Sequence, residues 1–143
     1  MDNLTSKHTI FWADDDQDDL LLFREVVEAH APHHEVVEFT QGKELIDALQ
    51  QAGDHDQPCL IVLDMNMPVF GGKDTLSFLK ANAQFRNIPV VMFTTSSSAL
   101  DKKFCDSLET EMITKPIAYD QMKNTIGRII DLCGPQVQAK QAA

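Results

Sequence analysis

Residues 59–64 read Cys-Leu-Ile-Val-Leu-Asp, an unbroken apolar run closed by a carboxylate. A strand with one face in water alternates polar and apolar side chains; a run without alternation suits a strand covered on both faces. Val90-Val-Met-Phe93 has the same character. Thr9-Ile-Phe-Trp-Ala13, Val36-Val-Glu-Phe39 and Glu111-Met-Ile-Thr114 read as three further short strands. The stretches between them carry helical spacing. Leu20, Phe23 and Val27 fall on one face of a helix over 17–30, which ends before Pro32. Leu45, Leu49 and Ala52 mark a helix over 41–52, stopped by Gly53. A helix over 72–82 carries Leu76 and Leu79, with Ala83 just beyond. Leu100, Phe104 and Leu108 mark one over 98–108, with Ser96-Ser-Ser98 offering N-caps. Met122, Ile126, Ile129, Ile130 and Cys133 form the clearest stripe, over 119–133. Five strands separated by helix-length segments pair in parallel through right-handed crossovers. The expected fold is therefore α/β, a doubly wound five-stranded parallel sheet of (βα)5 type. The expected domain is 8–133, with 134–143 as a disordered tail.

Composition bounds the function. The 143 residues make one domain, and 22 acidic residues against 12 basic ones leave a formal charge of −10. No basic stripe is present, which excludes a binder of the phosphate backbone and predicts no direct DNA binding. No apolar run approaches the roughly 20 residues needed to span a bilayer, and the first residues do not read as a signal peptide. A cytoplasmic location without membrane contact is expected. Cys59, Cys105 and Cys133 are odd in number and far apart in sequence, so they read as reduced, mostly buried thiols. The five histidines, His8, His30, His33, His34 and His55, lack metal-binding spacing and read as surface residues.

In a doubly wound sheet the ligand sits beyond the carboxyl ends of the strands. There the first strand runs into Asp14-Asp15-Asp16, the third ends in Asp64, the fourth in Thr94-Thr95 and the fifth in Lys115-Pro116. Each piece has an ordinary explanation: the first is a helix cap, the second a turn residue. Four strand ends carrying such groups at one edge are harder to explain structurally. Clustered carboxylates repel one another unless a cation sits among them. Hard oxygen ligands suit Mg2+, which keeps several waters and shares phosphate oxygens. A lysine and a hydroxyl opposite the metal are the parts that position a phosphoryl group and neutralise its equatorial oxygens. The attacking group would be a carboxylate, and Asp64, closing the most buried strand, suits that role. No Gly-rich phosphate loop follows the first strand, which argues against a nucleotide or flavin domain.

Four pieces, IFWADDDQDD (10–19), LIVLDMNMPVFGG (60–72), IPVVMFTTS (88–96) and MITKPI (112–117), resemble the receiver domain of two-component response regulators in order and spacing, over about residues 8–131. The resemblance implies a flavodoxin-like strand order 2-1-3-4-5 and a Mg2+-dependent phosphoacceptor. By the same resemblance Asp64 takes the phosphoryl group from a sensor histidine kinase, and Asp15 binds the metal directly. Asp14 acts through water or in concert with Asp15. The backbone carbonyl of Asn66 completes the protein's share of the metal shell. Thr94 and Lys115 contact the attached phosphoryl group, and the Lys115–Pro116 peptide is implied to be cis. Gly71-Gly72 is expected to allow the turn into the third helix. The acidic start DDDQDD is reminiscent of single-domain regulators that partner phytochrome-type kinases. Two positions depart from the family's pattern. Met112 stands where an aromatic switch residue is usual, and Leu108-Glu109 where Gly-Ala is common.

The expected function is a stand-alone regulator that signals by protein contact or by onward phosphotransfer in a phosphorelay. It is a phosphoprotein rather than a metabolic enzyme. The rival reading, a haloacid dehalogenase-type phosphohydrolase, requires Asp-x-Asp after the first strand. Here the candidate nucleophile closes the third strand and is followed by Met65-Asn66.

Overall fold

The computed structural model describes residues 8–53 and 56–133. Elements alternate along the chain as β1 (His8–Ala13), α1 (Gln17–His30), β2 (His34–Phe39), α2 (Gly42–Ala52), β3 (Leu60–Leu63), α3 (Gly72–Ala81), β4 (Val90–Thr94), α4 (Ala99–Ser107), β5 (Glu111–Thr114) and α5 (Tyr119–Asp131). The strands form one sheet in the order β2-β1-β3-β4-β5, every pairing parallel. The expected tail, 134–143, and His55 lie outside the described residues.

The pleat sorts side chains into two cores. Ile10, Trp12, Leu60, Val62, Val91 and Phe93 face the layer that includes Leu20, Phe23, Ile126 and Ile129 of α1 and α5. Their neighbours Phe11, Ala13, Ile61, Leu63, Val90 and Met92 face the layer that includes Leu45, Leu49, Leu76 and Leu79 of α2 and α3. All of β3 and β4 is buried, which is why neither strand alternates in sequence. The edge strand β5 is exposed at both ends and half-buried between them. Trp12 lies against Phe23, with ring centres 3.5 Å apart, and edge-on to Phe93 at 5.7 Å.

Several expectations need correction. Leu100 is 75% exposed, and α4 fully buries only Cys105, so its apolar stripe is thinner than the four-residue spacing suggested. Ala83 is exposed beyond α3, while Phe85 and Ile88 of the following loop enter the core. The Lys115–Pro116 peptide is trans, since no cis peptide bond occurs among the described residues; a tertiary amide still favours trans by about 0.5–1 kcal/mol. Cys59 and Cys133 are not thiols but a disulfide, whereas Cys105 is free and buried. They are 74 residues apart in sequence, but the start of β3 and the end of α5 meet at the same sheet edge. Their Cα atoms stand 5.3 Å apart, within disulfide reach. His34 is not a surface residue. Both its ring nitrogens are buried without a hydrogen-bond partner among the described residues.

Gly72 matters for contact rather than for dihedral freedom. A Cβ there would overlap the Asp64 carbonyl oxygen and the Met65 Cα, so only glycine lets α3 begin this close to β3. The positive dihedrals fall elsewhere. Glu109 has φ 53°, at the departure from Gly-Ala noted above, and Val69, in the loop after β3, has φ 66°. A β-branched residue is strained in that region by about 1–2 kcal/mol. Val69 is also 94% exposed, so its side chain contributes little packing. Val69→Gly removes the strain and adds back part of it as glycine's entropy. The expected net gain is about 0.5–1 kcal/mol, or roughly 2 °C in Tm. A thermal scan showing an unchanged or lower Tm would contradict this account.

Candidate functional site

Sheet pairing delivers the functional side chains to one edge. Asp14 follows β1, where its N–H donates to the Phe39 carbonyl (2.9 Å). Asp64 follows β3, its N–H donating to the Ala13 carbonyl (3.0 Å), so the two carboxylates emerge side by side. Strand order reverses there, with β1 flanked by β2 and β3, the position where such sheets hold ligands. Lys115 follows β5, and its N–H donates to the Thr94 carbonyl (2.7 Å), leaning the chain over β4.

The Lys115 ammonium donates to Asp14 Oδ2 (2.7 Å), Asp19 Oδ2 (2.8 Å) and Asp64 Oδ2 (3.2 Å). An ammonium has three N–H donors, and three carboxylates take them. The lysine side chain is only 5% exposed, so these pairs form largely out of water. In sequence Asp19 is one of several acidic residues at the start of α1, with nothing but its position to mark it for the site. Its signal was its place early in α1, five residues after Asp14, where a helical carboxylate can point back over the strand ends. Asp16 does what a helix cap does: its carboxylate accepts from the N–H groups of Asp18 (3.0 Å) and Asp19 (3.1 Å).

Asp14, Asp15 and Asp64 each present a carboxylate oxygen, all within 4.8 Å of one another. Asp14 and Asp64 are buried, while Asp15 is exposed. The Asn66 N–H donates to Asp64 Oδ1 (3.2 Å), and its side chain points to solvent. Its carbonyl oxygen accepts no hydrogen bond among the described residues. Three carboxylates around one point are a hard-oxygen donor set of the type that suits a divalent cation. Thr94 is buried at the end of β4, and its hydroxyl accepts from the Ser96 N–H (3.3 Å) rather than meeting Asp64.

Burial raises the Asp14 carboxyl from 3.8 to about 6, and the Lys115 hydrogen bond and charge only partly offset it. Burial alone would lower Lys115. Hydrogen bonds to Asp14 and Asp19, with the charges of Asp14 and Asp64, outweigh it and hold the ammonium above its ordinary value. Lysine is therefore charged throughout the physiological range, and Asp14 is the group poised to gain a proton.

The response regulator receiver domain model matches residues 10–127. The chain belongs to the response regulator receiver domain family. It is 34% identical to the response regulator Rcp1 of Synechocystis over 95 residues, 64% of this chain. The match spans 65% of Rcp1's own length, just under two thirds. Its fold superposes on the phosphorylated cyanobacterial phytochrome response regulator RcpA with a TM-score of 0.80 and 30% identity, over 86% of this chain and 91% of that one. The Mn2+-bound form of Rcp1 gives 0.78 and 28%, over 85% and 91%. The receiver fold and its strand order are thus those of solved response regulators, and the family is one of two-component signalling. No helix among the described residues of this receiver is long and apolar enough to cross a membrane.

The raised Asp14 carboxyl gives this receiver a signed pH dependence. The folded state holds that proton more tightly than the unfolded chain, so Asp14's own contribution makes the metal-free protein more stable as pH falls from about 6 toward 3.8. A divalent cation coordinated by Asp14 would have to displace the same proton. Its affinity, read from the buried Trp12 two residues away, is expected to fall about tenfold per pH unit below about 6. An affinity flat between pH 7 and 5 would remove Asp14 from the ligand set.

Proposed function

We propose that the receiver, taken as residues 8–133, accepts a phosphoryl group on Asp64 from a sensor histidine kinase in the cytoplasm. The phosphorylated form then signals by protein contact or passes the group on. The observation that carries this reading is the meeting of Asp64 with the Lys115 ammonium at 3.2 Å, beside Asp14 and Asp15. A bound Mg2+, held by Asp14, Asp15, Asp64 and the Asn66 carbonyl, would neutralise charge on the phosphoryl oxygens and align them. Rcp1's Mn2+-bound form supports a divalent cation at such a site.

The protein's own residues divide the remaining work. The Asp64 carboxylate attacks phosphorus as the donor's P–N bond breaks, forming an acyl phosphate. Its other oxygen stays fixed by the Asn66 N–H. Lys115, already within hydrogen-bond reach of Asp64, exchanges carboxylate partners for a phosphoryl oxygen. Asp19 can keep one of its N–H groups occupied while it does so. The Thr94 hydroxyl, which accepts from the Ser96 N–H, turns its own O–H to donate to another phosphoryl oxygen. The similarity to RcpA and Rcp1 supports a phytochrome-type kinase as donor.

Beyond the site, Ile117 is fully exposed, and Tyr119 and Leu100 are 60% and 75% exposed. Apolar groups in water at the start of α5 and on α4 suit a surface that meets a partner protein. Met112 lies half-buried in β5, paired with Met92, where a flexible thioether can repack without an aromatic rotamer.

Incubation with acetyl phosphate and Mg2+ should add one phosphoryl mass, labile to base, and Asp64→Asn should abolish it. Labelling that persists in the Asn variant would overturn the assignment. Lys115→Ala should still bind Mg2+ but show reduced amide-shift changes over residues 94–119 on beryllofluoride addition, because the active arrangement loses its preferred partner. A full wild-type shift pattern would show that the lysine is not the coupling element.

A further inference from the structure

The opposite edge of the sheet carries a second cluster, independent of the phosphoacceptor reading. His34 begins β2, Cys59 precedes β3, and Cys133 follows α5. Each offers one donor atom, and these atoms all lie within 4.8 Å of one another. Cys133 is fully buried, and both ring nitrogens of His34 are buried without a partner among the described residues. A buried imidazole without hydrogen bonds is costly unless something occupies its nitrogen. Nothing in phosphoacceptor chemistry uses these three residues.

We propose that, once the Cys59–Cys133 disulfide is reduced, the two thiolates and His34 bind a single Zn2+. Two sulfurs and one imidazole nitrogen are borderline-soft ligands of the type zinc selects. Tetrahedral zinc with Zn–S near 2.3 Å places its sulfurs about 3.8 Å apart. The Cys59 and Cys133 Cα atoms, 5.3 Å apart, allow that by side-chain torsion alone. The burial and neighbouring imidazoles that lower the His34 pKa keep its ring neutral, the form that ligates. Three protein ligands leave the fourth corner to water, the pattern of an exchangeable metal.

The steps balance. A dithiol reductant transfers two electrons to the disulfide, which becomes two thiols while the reductant becomes a disulfide. Zn2+ then forms two Zn–S bonds, and two thiol protons leave to solvent. The disulfide and the metal are alternative occupants of the same sulfurs. Either one ties the end of α5 to the strands beneath it.

The test uses the full chain, reduced anaerobically with a phosphine and titrated with Co2+ in excess Mg2+, which blocks the carboxylate edge. One equivalent of Co2+ should produce a thiolate-to-cobalt charge-transfer band, a signature that oxygen ligands do not give. Zn2+ should bleach the band. The oxidised chain and Cys133→Ser should lack it, and His34→Gln should weaken binding at least tenfold, in line with loss of a direct ligand. Absence of the band in reduced wild-type protein would overturn the proposal even if a variant failed to fold. So would a band undiminished in Cys133→Ser. Co2+ affinity unchanged in His34→Gln would remove the imidazole from the site and overturn the three-ligand assignment.

Discussion

A single ammonium holds the carboxyl edge of this sheet together. Asp14, Asp19 and Asp64 converge from β1, α1 and β3, with Asp15 beside them, and among the described residues Lys115 is the one cation hydrogen-bonded to them. Four carboxylates against one positive charge leave the pocket strongly anionic, so the arrangement tolerates, and is relieved by, an added divalent cation. Its geometry is inherited from the backbone. The Asp64 N–H is bound to the Ala13 carbonyl and the Lys115 N–H to the Thr94 carbonyl, which places the charged tips before any side-chain contact is made. The cost of burying these charges is met by layers of aliphatic and aromatic packing below. Trp12, Leu63 and Phe93 on three adjacent strands are all fully buried.

A parallel sheet also sorts chemistry between its two ends. Helices begin at the carboxyl edge, where unpaired N–H groups and the positive ends of helix dipoles favour oxygen anions. Asp16 occupies those N–H groups in α1, and Ser98 does so in α4, where its hydroxyl accepts from the Asp101 N–H. Helices end at the opposite edge, among strand starts. There the chain places imidazoles and sulfurs instead, with His8 and His34 opposite each other in register and their ring centres 5.4 Å apart. Hard oxygen donors thus stand at one end of the sheet and softer nitrogen and sulfur donors at the other.

The fold was readable in the sequence because its signals were local. Unbroken apolar runs at 60–63 and 90–93 required cover on both faces, and helical spacing between runs required crossovers. What escaped was decided by tertiary meetings. Asp19 looks like one more acidic residue in a helix's first turn until Lys115, 96 positions away, closes on it. Cys59 and Cys133 looked like separate buried thiols because sequence distance conceals a shared sheet edge. His34 read as surface for the same reason. Phe85 and Ile88 lie in a loop with no periodicity, yet both are buried because they pack into the same core as Leu76 and Leu79 of α3. Leu100 failed in the other direction: it sits at helical spacing with Phe104, but α4 is rotated to leave it in water.

That weak anchoring of α4 bears on how a signal could leave the site. Thr94 accepts from the Ser96 N–H, and the Ser96 hydroxyl donates to Asp101 Oδ2 at 2.6 Å. Asp101 in turn pairs with Lys73 of α3 at 2.8 Å, and the Lys73 and Ser96 hydrogen bonds hold its carboxyl below the ordinary range. The Thr114 hydroxyl donates to the Ser96 carbonyl, joining β5 to the same loop. If Thr94 turns to donate its O–H to a phosphoryl group on Asp64, the bond it accepts from the Ser96 N–H changes length or direction, and the Ser96 bonds to Asp101 and Thr114 shift with it. Segments with few buried apolar contacts open at the lowest free energy. Cys105 is the only fully buried residue of α4, so the helix that the Ser96 network restrains is also the one with least packing to resist moving. The hydrogen bonds of a four-residue loop, rather than an aromatic rotamer at position 112, are therefore the part of this receiver best placed to hold α4 in one arrangement and to let it adopt another.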